Sequence, residues 1–123
     1  MKQLGKHLLI ELYGCDNQKI DDLVFVEKTL IQSAKISGAH IVKTFFHKFS
    51  PQGVSGIIVI SESHFSIHTW PEHGYCALDI FTCGKNIDSD KALDFLKKEF
   101  ESHDFLLKKN PARFAIKPKI LFV

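Results

Sequence analysis

One short segment constrains the fold of this chain more than any other. Between the Ser50-Pro51-Gln52-Gly53 break and Ser61, the run Val54 to Ile60 carries Val54, Ile58 and Ile60 on one alternating set and Ile57 and Val59 on the other. A strand apolar on both faces needs cover on both faces. Two stretches supply helical cover. Asp22 to Ser37 holds Leu23, Val26, Leu30 and Ala34 at helical spacing and stops at Gly38. A second helix, capped by Asp88 or Ser89, runs to about Ser102 with Leu93, Leu96 and Phe100 inward. Two helices shield one face of a sheet, so the other face must pack on a partner's sheet or stand exposed.

The remaining strands follow from alternation and turn residues. His7 to Tyr13 ends at Gly14-Cys15-Asp16-Asn17, and Ile41 to Phe49 ends at the Pro51 turn. His64 to Trp70 and Tyr75 to Thr82 flank a Pro71-Glu72-His73-Gly74 turn, while Phe105 to Leu107 and Ile120 to Val123 are shorter candidates. The predicted fold class is α+β: a two-layer α/β sandwich, mainly antiparallel, with two helices on one face. With 123 residues and no linker or repeat, it is a single domain, 1–123. Eleven Phe are a heavy aromatic load for that size, and some of this surface is expected to bury against a second copy.

Charge and cysteine usage exclude several classes. A formal charge of +2 is too small to argue for nucleic acid, and its excess lies in a tail, Lys108-Lys109 to Lys119, read as solvated. No apolar run approaches the roughly 20 residues that span a bilayer, and the N-terminus lacks a signal peptide's apolar stretch. Cys15, Cys76 and Cys83 show no CxxC spacing, so neither a disulfide framework nor a zinc knuckle is indicated, and the expected compartment is cytoplasmic.

Chemistry concentrates in Ser61-Glu62-Ser63-His64-Phe65-Ser66-Ile67-His68-Thr69-Trp70-Pro71-Glu72, where nucleophiles, imidazoles and carboxylates crowd between apolar strands. Polar groups placed where packing prefers Val or Ile tend to mark function. A Ser/His hydrolase fits poorly, because Gly53-Val54-Ser55-Gly56-Ile57 is out of register for a GxSxG elbow. A metal site fits poorly too. His64 and His68 share a strand face but stand about 13 Å apart at roughly 3.3 Å per residue, too far for one ion with ligands at about 2 Å.

A third reading comes from resemblance. Ser61-Glu62-Ser63-His64, Ile67-His68-Thr69-Trp70-Pro71-Glu72 and Phe81-Thr82-Cys83-Gly84 closely resemble the small bacterial and archaeal type of S-adenosylmethionine decarboxylase. Gly5-Lys6-His7 and His47-Lys48-Phe49-Ser50-Pro51-Gln52-Gly53-Val54-Ser55-Gly56 extend the likeness, which covers about residues 4 to 100.

The resemblance implies a self-made cofactor. Ser63 attacks the Glu62 carbonyl, the peptide becomes an ester, and elimination followed by hydrolysis leaves a pyruvoyl group derived from Ser63. The chain is thereby split into a β chain, 1–62, and an α chain, 63–123. Neither pyridoxal phosphate nor a metal is implied. His68 is the implied base for the elimination, Ser55 stabilises the oxyoxazolidine intermediate, and Cys83 protonates the decarboxylated carbon. The substrate amine forms a Schiff base with the pyruvoyl ketone. Glu72 matches the position that binds the ribose hydroxyls, Phe49 an aromatic against the adenine or sulfonium, and Trp70 a further wall of the pocket. The implied substrate is S-adenosylmethionine, for spermidine synthesis, and the implied assembly is a homodimer, an α/β/β/α sandwich.

Chemistry supports these assignments residue by residue. Amide resonance opposes conversion of a peptide to an ester, and strain in a tight connection lowers that barrier. A histidine of ordinary pKa near 6.5 suits a neutral base, and a thiol near 8.5 still donates at neutral pH. Taken singly, Ser63 reads as a turn residue, His68 as a structural histidine, Cys83 as a buried small hydrophobe, and Phe49 and Trp70 as core. His64 and His73 stay open, and Cys15 and Cys76 match no motif. An arginine or ornithine decarboxylase of the same fold is the rival; Glu72, Phe49 and Trp70 favour a nucleoside. A non-catalytic binder of an adenosine metabolite is a second rival, and Ser63 and Cys83 argue against it.

Overall fold

A computed structural model describes residues 3–61, 63–83 and 86–114, with backbone alone at 3–4 and 111–114. Strand β1 (Gln3–Tyr13) leads into a short helix α1 (Asn17–Ile20) and the long helix α2 (Leu23–Ile36). Strands β2 (Ile41–Lys48), β3 (Val54–Ile60) and β4 (Ser63–Trp70) follow as a meander. A 3₁₀ turn, Pro71–His73, joins β4 to β5 (Tyr75–Thr82), and α3 (Ser89–Glu99) precedes β6 (Asp104–Phe114). All six strands pair antiparallel in the order β2-β3-β4-β5-β1-β6.

The helices start where aspartates cap them. Asp16 accepts the Gln18 and Lys19 N–H groups, Asp22 that of Phe25, and Asp88 that of Lys91. Each such cap typically contributes about 1 kcal/mol, and Asp88 rather than Ser89 caps α3. Helices α2 and α3 lay Val26, Leu30, Ala34, Ala92, Leu93 and Leu96 on Leu8, Ile10, Leu12, Ile58, Ile60, Phe65, Ile67, Leu78 and Ile80 from the sheet. The alternation read from Val54 to Ile60 holds: Val54, Ile58 and Ile60 are buried, while Ile57 and Val59 point away from the helices.

That second face carries a band of exposed apolar residues. Phe45 is 66% exposed, Leu106 55%, Val59 40% and Ile57 39%. No helix among the described residues covers them.

Three expectations change. The helical cover includes a third, one-turn helix, α1. Helix α3 ends at Glu99 with Phe100 as its C-cap, short of Ser102. The strand candidate at Phe105 to Leu107 is part of a longer edge strand, and the first part of the tail read as solvated, from Lys108 to Phe114, continues it, because β6 pairs with β1 from Gln3↔Phe114 to Tyr13↔Asp104. Lys108 and Lys109 sit on that strand, a usual position for charge at a sheet edge, and Pro111, which lacks an N–H, is tolerated there. The candidate strand Ile120 to Val123 lies outside the described residues.

Candidate active site

The sequence-predicted residues fall into two groups at opposite ends of β4. The first group gathers where β3 begins and β4 ends. Ser55 and His68 are register partners, and Ser55 Oγ lies 2.7 Å from His68 Nδ1. With Phe49, Gln52, Trp70 and Glu72 they line an open cavity of about 330 Å³. A neighbouring apolar hollow of about 400 Å³ shares Phe49, Ser55 and His68 and adds Phe45, His47 and Ile57. Phe49 is exposed and meets His47 edge-on at 4.5 Å between ring centroids.

Local hydrogen bonds hold this end in shape. The buried Thr69 hydroxyl accepts from the Val54 N–H at 2.9 Å and donates to the Ile20 carbonyl at 2.7 Å. Gly53, at φ 107°, suits the left-handed turn that returns the chain to β3, and its N–H donates to Asp21 at 2.8 Å. Lys48 reaches the same carboxylate at 3.1 Å. The Gly53 N–H and then Lys48 hold the Asp21 carboxyl below the usual carboxylate range, against a smaller opposing push from desolvation. Trp70 tilts against Tyr75, centroids 5.3 Å apart, and Tyr75 donates to Glu11 at 2.7 Å. Desolvation first, then that carboxylate, push the Tyr75 hydroxyl up to about 12, so it stays protonated as a fixed donor. Asp21 and Tyr75 lie in no motif, and Gln52 and Thr69, though inside the motif blocks, take no role from them; their place in space ties them to this end of the sheet.

The second group sits at the other end. Ser63 begins β4, pairs with Ile60 and Thr82, and has φ 157°. A non-glycine residue with such a φ typically stores about 1–3 kcal/mol, and such positions cluster at functional sites. Cys83 follows Thr82 directly and is exposed, whereas Cys15 and Cys76 are buried. Packing therefore accounts for Cys15 and Cys76 and does not account for Cys83. Glu62 lies outside the described residues.

Within one protomer the two groups do not meet. His68 is roughly 16 Å along β4 from Ser63 at about 3.3 Å per residue. Within a single chain, then, the strand holds His68 away from Ser63. No cluster of three or more His, Cys, Asp or Glu side chains suited to a metal converges among the described residues. No helix among them is long and apolar enough to cross a membrane.

Comparison with known proteins is consistent in every direction. Residues 6–111 match the family described as S-adenosylmethionine decarboxylase. An S-adenosylmethionine decarboxylase proenzyme of Thermotoga petrophila is 52% identical over 102 residues, covering 83% of this chain and 78% of that protein. The proenzyme of Clostridium kluyveri is 48% identical over 102 residues, covering 83% and 81%. The crystal structure of the adenosylmethionine decarboxylase from Aquifex aeolicus superposes with a TM-score of 0.86 at 30% identity, over 99% of this chain and 100% of that one. The chain belongs to the S-adenosylmethionine decarboxylase family.

Proposed function

We propose that this carboxy-lyase decarboxylates S-adenosylmethionine with a pyruvoyl group that it makes from its own Ser63. The observation that carries the proposal is Ser63 at the head of β4, with a strained φ of 157°, in register with Thr82, which the exposed Cys83 follows in the chain. Processing at the Glu62–Ser63 bond divides the chain into 1–62 and 63–123. Family membership favours S-adenosylmethionine over arginine or ornithine.

A pyruvoyl group supplies a ketone that captures the substrate amine and takes up the electrons released with CO₂. The chain's own side chains do the rest. Cys83 gives a proton to the substrate α-carbon. Glu72 accepts hydrogen bonds from the ribose hydroxyls. Phe49 and Trp70 offer aromatic faces to the sulfonium and adenine. Ser55 donates to the oxyanion formed during processing, and His68, held at 2.7 Å from Ser55, removes the Ser63 α-proton.

The working unit in this proposal is a homodimer, two sheets packed face to face as α/β/β/α. What supports it is the separation of the two groups and the exposed apolar band of Phe45, Ile57, Val59 and Leu106. Each 100 Å² of apolar surface removed from water contributes about 2.5 kcal/mol, so the bare face favours association. Antiparallel two-fold packing brings the Ser55–His68 end of one sheet over the Ser63–Cys83 end of the other.

Denaturing electrophoresis with intact mass spectrometry tests the cofactor. Two fragments whose masses match 1–62 and a pyruvoyl-blocked 63–123 support it; a single intact chain in active enzyme opposes it. Decarboxylation assays on S-adenosylmethionine, arginine and ornithine then test the substrate.

A further inference from the structure

The Ser63 hydroxyl has a neighbour to which the scheme above gives no role. His64 Nδ1 lies 3.3 Å from Ser63 Oγ. The half-buried imidazole meets Phe81 edge-on, with centroids 5.9 Å apart. His7, the register partner of Phe81 on β1, closes the other side of that ring at 5.6 Å, and its Nε2 stands 3.9 Å from Asp79 Oδ2. Burial holds His64 below its ordinary pKa; Asp79 opposes this and His7 reinforces it. The imidazole is therefore neutral at neutral pH. With its proton on Nε2, its Nδ1 accepts from the hydroxyl.

We propose that His64 is the general base for the first step of processing, taking the Ser63 hydroxyl proton as Oγ attacks the Glu62 carbonyl carbon. The inference rests on the self-processing proposed above. In the step a C–O bond forms and the C–N peptide bond breaks. The proton held at Nδ1 passes to the departing Ser63 amine, so the product ester is an isomer of the peptide and no co-reactant is needed. His68 of the same chain cannot act here, because it is roughly 16 Å away along the strand at about 3.3 Å per residue. The two histidines thus divide the two proton transfers: His64 handles the hydroxyl, and His68 the α-proton of the ester.

Purified precursor of His64→Ala, followed by intact mass with and without hydroxylamine, tests this. Processing should slow by about 10²–10⁴, and hydroxylamine should release nothing, since no ester has formed. Added imidazole should restore cleavage. His64→Gln keeps a polar side chain without a basic nitrogen and should fail in the same way. In the His64→Ala background, Ser63→Cys should form a hydroxylamine-labile thioester near pH 8.5 as fast as Ser63→Cys alone, because a thiol with a pKa of about 8.5 ionises unaided. Processing of His64→Ala or His64→Gln within about threefold of wild type overturns the proposal, as does an ester that accumulates in either. Absence of thioester in the double variant, where Ser63→Cys alone forms it, overturns it as well. Cleavage of Ser63→Ala is a separate result that removes the self-processing reading itself.

Discussion

Ser55 Oγ and His68 Nδ1 lie 2.7 Å apart across the β3–β4 ladder, at the far end of β4 from Ser63. One strand thus carries Ser63, the proposed nucleophile, at its start and His68, the proposed base, near its finish, roughly 16 Å apart at about 3.3 Å per residue. A reaction that needs both must borrow one from another copy.

Ser63→Ala leaves no oxygen to attack the Glu62 carbonyl. The expected product is a folded, full-length, inactive protein, checked by intact mass and circular dichroism. Cleaved chains in that variant contradict self-processing.

His68→Ala removes the base for the elimination but spares the first step. An ester should accumulate, cleaved by hydroxylamine where an amide resists it. Pyruvoyl formation at the wild-type rate takes His68 out of the mechanism.

Cys83→Ala should be processed normally and then decarboxylate slowly. General acid catalysis is worth about 10²–10⁴ in rate, so kcat should fall by that order while the two fragments still appear. A loss of less than about threefold assigns the proton to another donor.

Phe49 and Cys83 belong to opposite ends of the sheet, so in the proposed dimer they serve different sites. Mixing equal amounts of Phe49→Ala and Cys83→Ala subunits should regain about a quarter of wild-type activity on random reassortment, because about half of the dimers are then mixed and one of the two sites in each receives both native residues. A fully active monomer in sedimentation at assay concentration rules this out.

Asp21 ties α1 to the turn beside the cavity through the Gly53 N–H and Lys48. Its carboxyl titrates lower folded than unfolded, so its stabilisation is complete above the unfolded value of about 3.9 and is lost as pH falls through the lower folded value. Asp21→Ala should therefore lower the urea midpoint equally at pH 7 and pH 5.5, with a shrinking gap to wild type only in strong acid. It should also raise KM for substrate more than it lowers kcat. A gap that closes already between pH 7 and pH 5.5 contradicts the assignment.

Much of the fold was legible because its signals are local. The alternation of Val54 to Ile60 set a strand with two apolar faces, and Asp22 and Asp88 stand where backbone N–H groups need caps. The edge strand was only partly legible, since Lys108, Lys109 and Pro111 suppress a strand reading until β1 is known to lie beside them.

Ser63, His68 and Cys83 stood out through motifs that resemble the decarboxylase family, and those motifs are properties of the chain alone. Distance along the chain did not say which of them meet. His68 lies close to Ser63 in sequence, yet an extended strand keeps them apart, while Ser55 and His68 touch because a hairpin returns the chain upon itself. Asp21, Thr69 and Tyr75 join the cavity through contacts that span the domain, and no local pattern encodes such contacts. The sequence by itself determined which chemistry the chain carries. The tertiary structure decided how that chemistry is divided between the two ends of a sheet, because strand geometry alone sets those separations.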